Sequence, residues 1–235
     1  MNHLASDLQA LAPTDAGPHP LHDGAFGGDD LQVRRVAPGG SLHEVQRLRR
    51  EVFLHEQGEA GEQVPRIDDG LDRSATVVVV ERAGQAIGSL RVHDFLAPAV
   101  QVEYGRLFQI DRFASAWPLQ RLMVGSRLAV QSDQRELAVL DRLVGEAYRH
   151  ALDHDVRFGL VACDPSLNSL FEYYGFREYL PPAVLPDGSA VLRMLLVTED
   201  EPHLHQCDSP LRHLVRNPEA GRAARTWLER TFEQA

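Results

Sequence analysis

The chain has 235 residues and a formal net charge of −10 at pH 7, long enough to bury a substantial core within one domain of moderate size. The negative balance excludes a nucleic-acid binder held by its overall field, because such proteins neutralise phosphates with an excess of basic side chains. All 24 basic residues are arginine, which excludes a lysine Schiff base, a lysine nucleophile and a phosphate-loop lysine.

Two cysteines, Cys163 and Cys207, do not make a disulfide framework. No run reaches the length of a membrane helix, and the N-terminus lacks the basic and apolar segments of a signal peptide. A cytoplasmic protein with no membrane span is expected.

Residues 1–30, rich in Gly, Pro, His and Asp, read as a flexible tail, and residues 31–235 as a single domain with a C-terminal helical extension. LQVRRV is the first expected strand. Ser41 and Glu44 form a capping box, and Leu42, Val45, Leu48, Val52 and Phe53 keep helical spacing up to Gly58, which sets Arg49 and Phe53 one turn apart. TVVVVERAGQAIGSLRV reads as a hairpin around Ala-Gly. From His93 to Val124 the pattern is irregular and holds a short helix, an insertion of the kind that shapes substrate pockets.

SRLAV, residues 126–130, is the next strand. Ser132 or Asp133 is expected to cap a helix with Leu137, Leu140, Val144, Ala147 and Ala151 on its apolar face, ending near His154. RFGLVAC follows as a strand. Asp164 caps a short helix with Pro165 in its first turn and Gly175 as its stop, Phe176 opens another strand, and VLRMLLVTE is the last. SPLRHLV and AGRAARTWLERTF supply helix.

This order of elements resembles the GNAT acyltransferase fold, an α/β (α+β) arrangement around a mixed, largely antiparallel sheet splayed at its middle to admit a thioester arm. Arg49 and Phe53 in RREVF, Asp69 and Asp72 in DDGLD, Arg91 in SLRV and Ser126-Arg127 in SRLAV are similar to the autoinducer-synthase pattern R-x-x-x-F, D-x-x-D, R, S-R-F. CDPSLNSLFEYYGFREY and LRMLLVTEDEPHLHQCDSPL look like the related N-acyl amino acid synthases. Residues 32 to 211 carry the resemblance.

The resemblance implies transfer of an acyl group, long in chain, from acyl carrier protein or coenzyme A to the amine of an amino acid or similar small acceptor. No permanent cofactor is implied, only the acyl thioester as co-substrate. Alternatives are a homoserine-lactone synthase and a GNAT-like module that binds an acyl ligand or a partner without turnover. Arg49, Phe53, Asp69, Asp72, Arg91 and Arg127 are implied acceptor-site residues, with a buried ion-pair network as the competing role of the charged ones. Leu128, Val130, Arg135, Leu137, Ala138 and Phe171 are implied for the thioester and its phosphate, which the N-terminus of the helix favours. Ser126 is placed at the reacting centre, and Glu103 is the candidate base.

Three departures refine this reading. The phosphate loop of such enzymes has glycines where this chain has Ala138 and Leu140, so a single phosphodiester, as on acyl carrier protein, suits it better than the charged tail of coenzyme A. Phe171 stands where many GNAT enzymes have a tyrosine acid. Val124 stands where the lactone-synthase motif W-E-x-S-R-F has its glutamate. The H-L-H-Q-C-D run at 203–208 lacks a second ligand cluster, so no metal is expected, and Cys163 reads as inert packing.

Overall fold

The structure is a computed structural model that describes residues 30–57, 69–186 and 188–232. The expected tail lies outside the described residues except for Asp30. Seven strands form one sheet in the order β1-β2-β3-β4-β5-β7-β6, with β1 Leu31–Val36, β2 Thr76–Arg82, β3 Gln85–Asp94, β4 Leu122–Val130, β5 Phe158–Cys163, β6 Arg177–Val184 and β7 Ala190–Val197. Every neighbouring pair is antiparallel except β4 with β5. The sheet is thus mixed and largely antiparallel, as the sequence implies.

Helices cover both faces, which explains the unbroken valine run in β2. Val77 and Val79 pack beneath α1, His43–Gln57, while Val78 and Val80 pack beneath α4, Leu137–Asp153. The α1 face continues into an aromatic cluster where α2 Pro98–Tyr104, α3 Ile110–Ala114 and α7 Pro218–Phe232 meet the sheet. Phe113 holds the centre of that cluster, 5.2 Å from Trp227 and 5.3 Å from both Phe158 and Phe232. This packing turns the irregular insertion into a fixed wall. Arg193 of β7 fastens it further by donating to the Leu107 carbonyl.

The hairpin β2–β3 turns at Ala83 and Gly84, both in the left-handed region at φ 50° and 77°, as a two-residue hairpin turn requires. Three local expectations need correction. β4 begins at Leu122 rather than Ser126. The helix expected from Ser132 or Asp133 begins at Leu137, because residues 132–134 close a separate 3-10 turn and extended Glu136 takes the cap position. The HLHQ run is a short helix, α6 Glu201–Gln206, which follows α5 Asn168–Tyr173 in chain order, and β7 stops at Val197 because Glu199 turns the chain with φ 62°.

Candidate active site

β4 organises the site. Up to Gly125 it pairs with β5, Leu122 to Phe158 and Gly125 to Val161, and beyond Gly125 the pairing ends. On its other side it stays paired with β3, but the register slips between Ser89 and Arg91, which face Ala129 and Ser126. One extra residue is therefore inserted in β4, and Arg127 sits there at φ 54°. The bulge switches which face each later residue meets: Met123 before it and Leu128 and Val130 after it pack on the α4 side. This irregularity hid the strand from simple alternation.

The splay between β4 and β5 opens a cleft of about 340 Å³. Leu128, Val130, Val161 and Phe171 line it near the splay, and Ala147, Tyr148, Ala151 and Thr198 line its inner end beneath α4. Small residues on α4 keep this space open. Tyr148 and Thr198 spend their hydroxyls on the protein itself: Tyr148 accepts from the Glu199 N–H at 3.0 Å, and Thr198 donates to the Val156 carbonyl at 2.5 Å. The inner cleft thus presents mostly carbon. Cys163 lines it too, and burial with Asp164 and Glu178 nearby pushes its thiol up to about 12, so it stays protonated.

On the α1 face, directly behind the bulge, lies a chain of charge. Arg49, wholly buried on α1, donates from Nη1 to both oxygens of Asp72 at 2.9 Å. Arg91 of β3, 1% exposed, donates to Asp69 at 2.7 Å, Asp72 at 3.3 Å, Ser126 Oγ at 3.0 Å and the Tyr104 hydroxyl at 3.3 Å. Arg127 Nη2 lies 3.1 Å from Asp69 Oδ2, and its guanidinium stands 5.8 Å from the centre of the Phe53 ring at the cleft mouth. Gly70, at φ 76°, makes the turn that lets Asp69, just before it, and Asp72, in the short 3-10 segment Leu71–Ser74, reach the same cluster. Burial would raise the Asp69 carboxyl, but its bonds to Arg91 and Arg127 outweigh that and hold it at about 2. Burial lowers Arg49, with Asp72 opposing, whereas Asp69 and Tyr104 keep Arg91 above its ordinary value against the same burial.

The structure therefore gathers Arg49, Phe53, Asp69, Asp72, Arg91, Ser126 and Arg127 at one place, and Leu128, Val130, Arg135 and Phe171 along the adjoining cleft. Leu137 and Ala138 form the first turn of α4 outside that lining. Their neighbour Glu136 is paired with Arg82 at 3.3 Å, which offsets its negative charge at the helix end. Glu103 is exposed on α2 and is not part of the cleft wall. Tyr104 and His93 lie beside this cluster and belong to none of the sequence motifs. Their signal was position: His93 is two residues from Arg91 on a strand, hence on the same face.

A sheet that opens at a bulged central strand, with an apolar slot on one side and a polar site on the other, defines a GNAT-like acyltransferase. The chain matches the family model for the N-acyl amino acid synthase FeeM over residues 44–195 and belongs to that family. It is an N-acyltransferase. Among solved structures it is similar to FeeM, an N-acyl amino acid synthase from uncultured soil microbes, with a TM-score of 0.59 and 12% identity over 79% of this chain and 98% of that one. BjaI, a CoA-dependent acyl-homoserine lactone synthase solved with SAM and isopentyl-CoA, gives 0.57 and 15% over 83% and 99%. A putative N-acetyltransferase from Lactobacillus plantarum gives 0.52 and 16% over 72% and 99%. No curated protein matches the chain. No group of residues suited to a metal ion occurs among the described residues.

Proposed function

We propose that this acyltransferase moves a long acyl chain from an acyl carrier protein thioester to the amine of an amino acid, in the cytoplasm. The carbon-lined cleft of about 340 Å³ that takes in both the splay and Tyr148 is the observation that carries the reading, since a short acetyl group would leave most of it unfilled. In this arrangement the thioester carbonyl lies at the splay, where β4 backbone no longer pairs with β5 and its N–H groups can stabilise the oxyanion. Leu128, Val130 and Phe171 hold the chain. The phosphodiester of the pantetheine arm meets Arg135 and the first turn of α4, Leu137 and Ala138.

The acceptor approaches from the charged side, past Ser126, Arg91 and Phe53. An amino acid brings a carboxylate, and Arg127 at the mouth has the planar fork that matches it. Arg49, Asp69 and Asp72 act one step behind, by fixing the direction of Arg91 and Arg127. Glu103, exposed on α2, is given no proton transfer in this reading. Both cysteines are free, as a reducing compartment leaves them. Among the described residues no helix is long and apolar enough to cross a membrane.

The test is to supply purified protein with acyl carrier protein and coenzyme A thioesters of short and long chains, an amino-acid mixture and S-adenosylmethionine, and to identify products by mass spectrometry. N-acyl amino acids from long acyl carrier protein thioesters are expected. Homoserine lactone as the main product would move the chain to the lactone-synthase reading, against which Val124 stands. Silence with every donor would sink the proposal.

A further inference from the structure

We propose that Tyr148 is the stop that limits how long an acyl chain the cleft accepts, so that donors are selected by length at its closed end. The inference rests on the acyl-transfer reading above and deepens it. α4 faces the cleft with Leu140, Val144, Ala147, Tyr148 and Ala151, a stripe at helical spacing. From Leu140 to Tyr148 the stripe runs about 12 Å along the helix axis.

Which end is closed follows from the connections. α4 enters β5 through a tight turn in which the Val156 N–H donates to the Ala151 carbonyl at 2.9 Å, so Ala151 lies over the start of β5. There β5 is paired on both sides, Phe158 with Leu122 of β4 and with Val197 of β7, and the sheet beneath is continuous. Leu140, earlier on α4, lies towards the splay, where Leu128, Val130 and Cys163 join the lining.

Tyr148 crosses the closed end. Because its hydroxyl accepts the Glu199 N–H at 3.0 Å, the ring reaches from α4 to the segment just past β7, beside Thr198. That far point is itself fixed: Glu199 accepts from the N–H groups of Arg216 at 3.2 Å and Asn217 at 2.6 Å, and from Arg157 Nη1 at 3.2 Å. A ring held at both ends swings aside only by leaving a buried N–H without its acceptor. Ala147, Ala151 and Gly159 beside it are small, which leaves width for a chain up to the ring. An extended hydrocarbon advances about 1.2 Å per bond, so about ten carbons beyond the carbonyl fit before the terminal methyl meets Tyr148.

The experiment gives wild type, Tyr148→Ala, Tyr148→Phe and Ala151→Leu a series of saturated acyl thioesters of increasing length, on acyl carrier protein and on coenzyme A, and reads kcat/KM against length in the product assay above. Wild type should peak at about a dozen carbons and fall at least about tenfold for chains about four carbons longer. Tyr148→Ala should move the peak about four carbons longer, the depth of the lost ring. Tyr148→Phe keeps the ring and should keep the wild-type peak. Ala151→Leu should move the peak shorter without lowering the thermal midpoint, since its added carbons fill existing space. Comparing lengths within one preparation cancels any difference in folded fraction. A Tyr148→Ala profile that superimposes on wild type, or a Tyr148→Phe profile displaced as far as that of Tyr148→Ala, would overturn Tyr148 as the stop while the acyl-transfer reading stands. A wild-type protein silent with every donor overturns the reading itself. Should Tyr148→Ala fail to fold, Ala151→Leu decides: an unshifted peak there removes the length limit from this end of the cleft.

Discussion

Arg49 has no exposed surface, and its Nε and Nη2 lack hydrogen-bond partners among the described residues, so Asp72 is what makes its burial tolerable. Replacing Arg49 by Met leaves Asp72 with the longer bond from Arg91 alone. We expect a loss of about 3 kcal/mol, in the range for breaking a buried pair, measured by urea unfolding. Asp69 gives a pH signature. Its folded value of about 2 lies below its ordinary 3.8, so its contribution is present above about pH 4 and lost as pH falls towards 2. Asp69→Asn should flatten the acid limb of the stability curve over that window, and an unchanged slope would show that Asp69 is not held down. The motif spacings in the sequence pointed to these residues as a set. Which of them touch was not legible, because Asp69 and Asp72 lie 22 and 23 residues from Arg91 and Arg49.

At the scale of elements, β4 and its bulge separate two environments. Gly125 is the last residue paired with β5, lines the cleft, and would set a Cβ 3.2 Å from Val161 Cγ1. Gly125→Leu should block the entrance, lowering kcat/KM for long-chain donors at least tenfold while the circular dichroism spectrum is retained. Equal activity in that variant would mean that the acyl chain does not enter here. Periodicity found α1, α4, α7 and the β2–β3 hairpin, since each carries one local pattern. It mistook the start of β4 because an inserted residue reverses the alternation, and it mistook the cap of α4 because Ser132 and Asp133 are spent in their own turn.

For the molecule as a whole, the C-terminal helix closes the aromatic cluster behind the site. Its Gly221 presses against the backbone carbonyl of Glu199, where a Cβ would overlap that group. Around it, Asp200 is gripped by Arg177 at 2.6 Å and Arg225 at 2.9 Å, and Glu199 accepts from the Asn217 N–H at 2.6 Å. Gly221→Ala should therefore cost several times the ~1 kcal/mol by which alanine ordinarily favours a helix, with the loss seen as a lowered thermal midpoint. A stabilised variant would show that α7 is free to move away from the loop.

The sheet-forming runs, the capped helices, the lysine-free charge and the motif spacings that mark an acyltransferase of the N-acyl amino acid synthase type are all written in the order of residues along the chain. Those are local patterns, or patterns of order along the chain. Tertiary packing sets Ser126 and Arg127 in one bulge, turns Tyr104 rather than Glu103 towards Arg91, and buries His93 beside them with no hydrogen-bond partner among the described residues. The physical reason is that burial and hydrogen-bond partnership depend on strand register and on what packs above each face, and neither is set by the residues next along the chain.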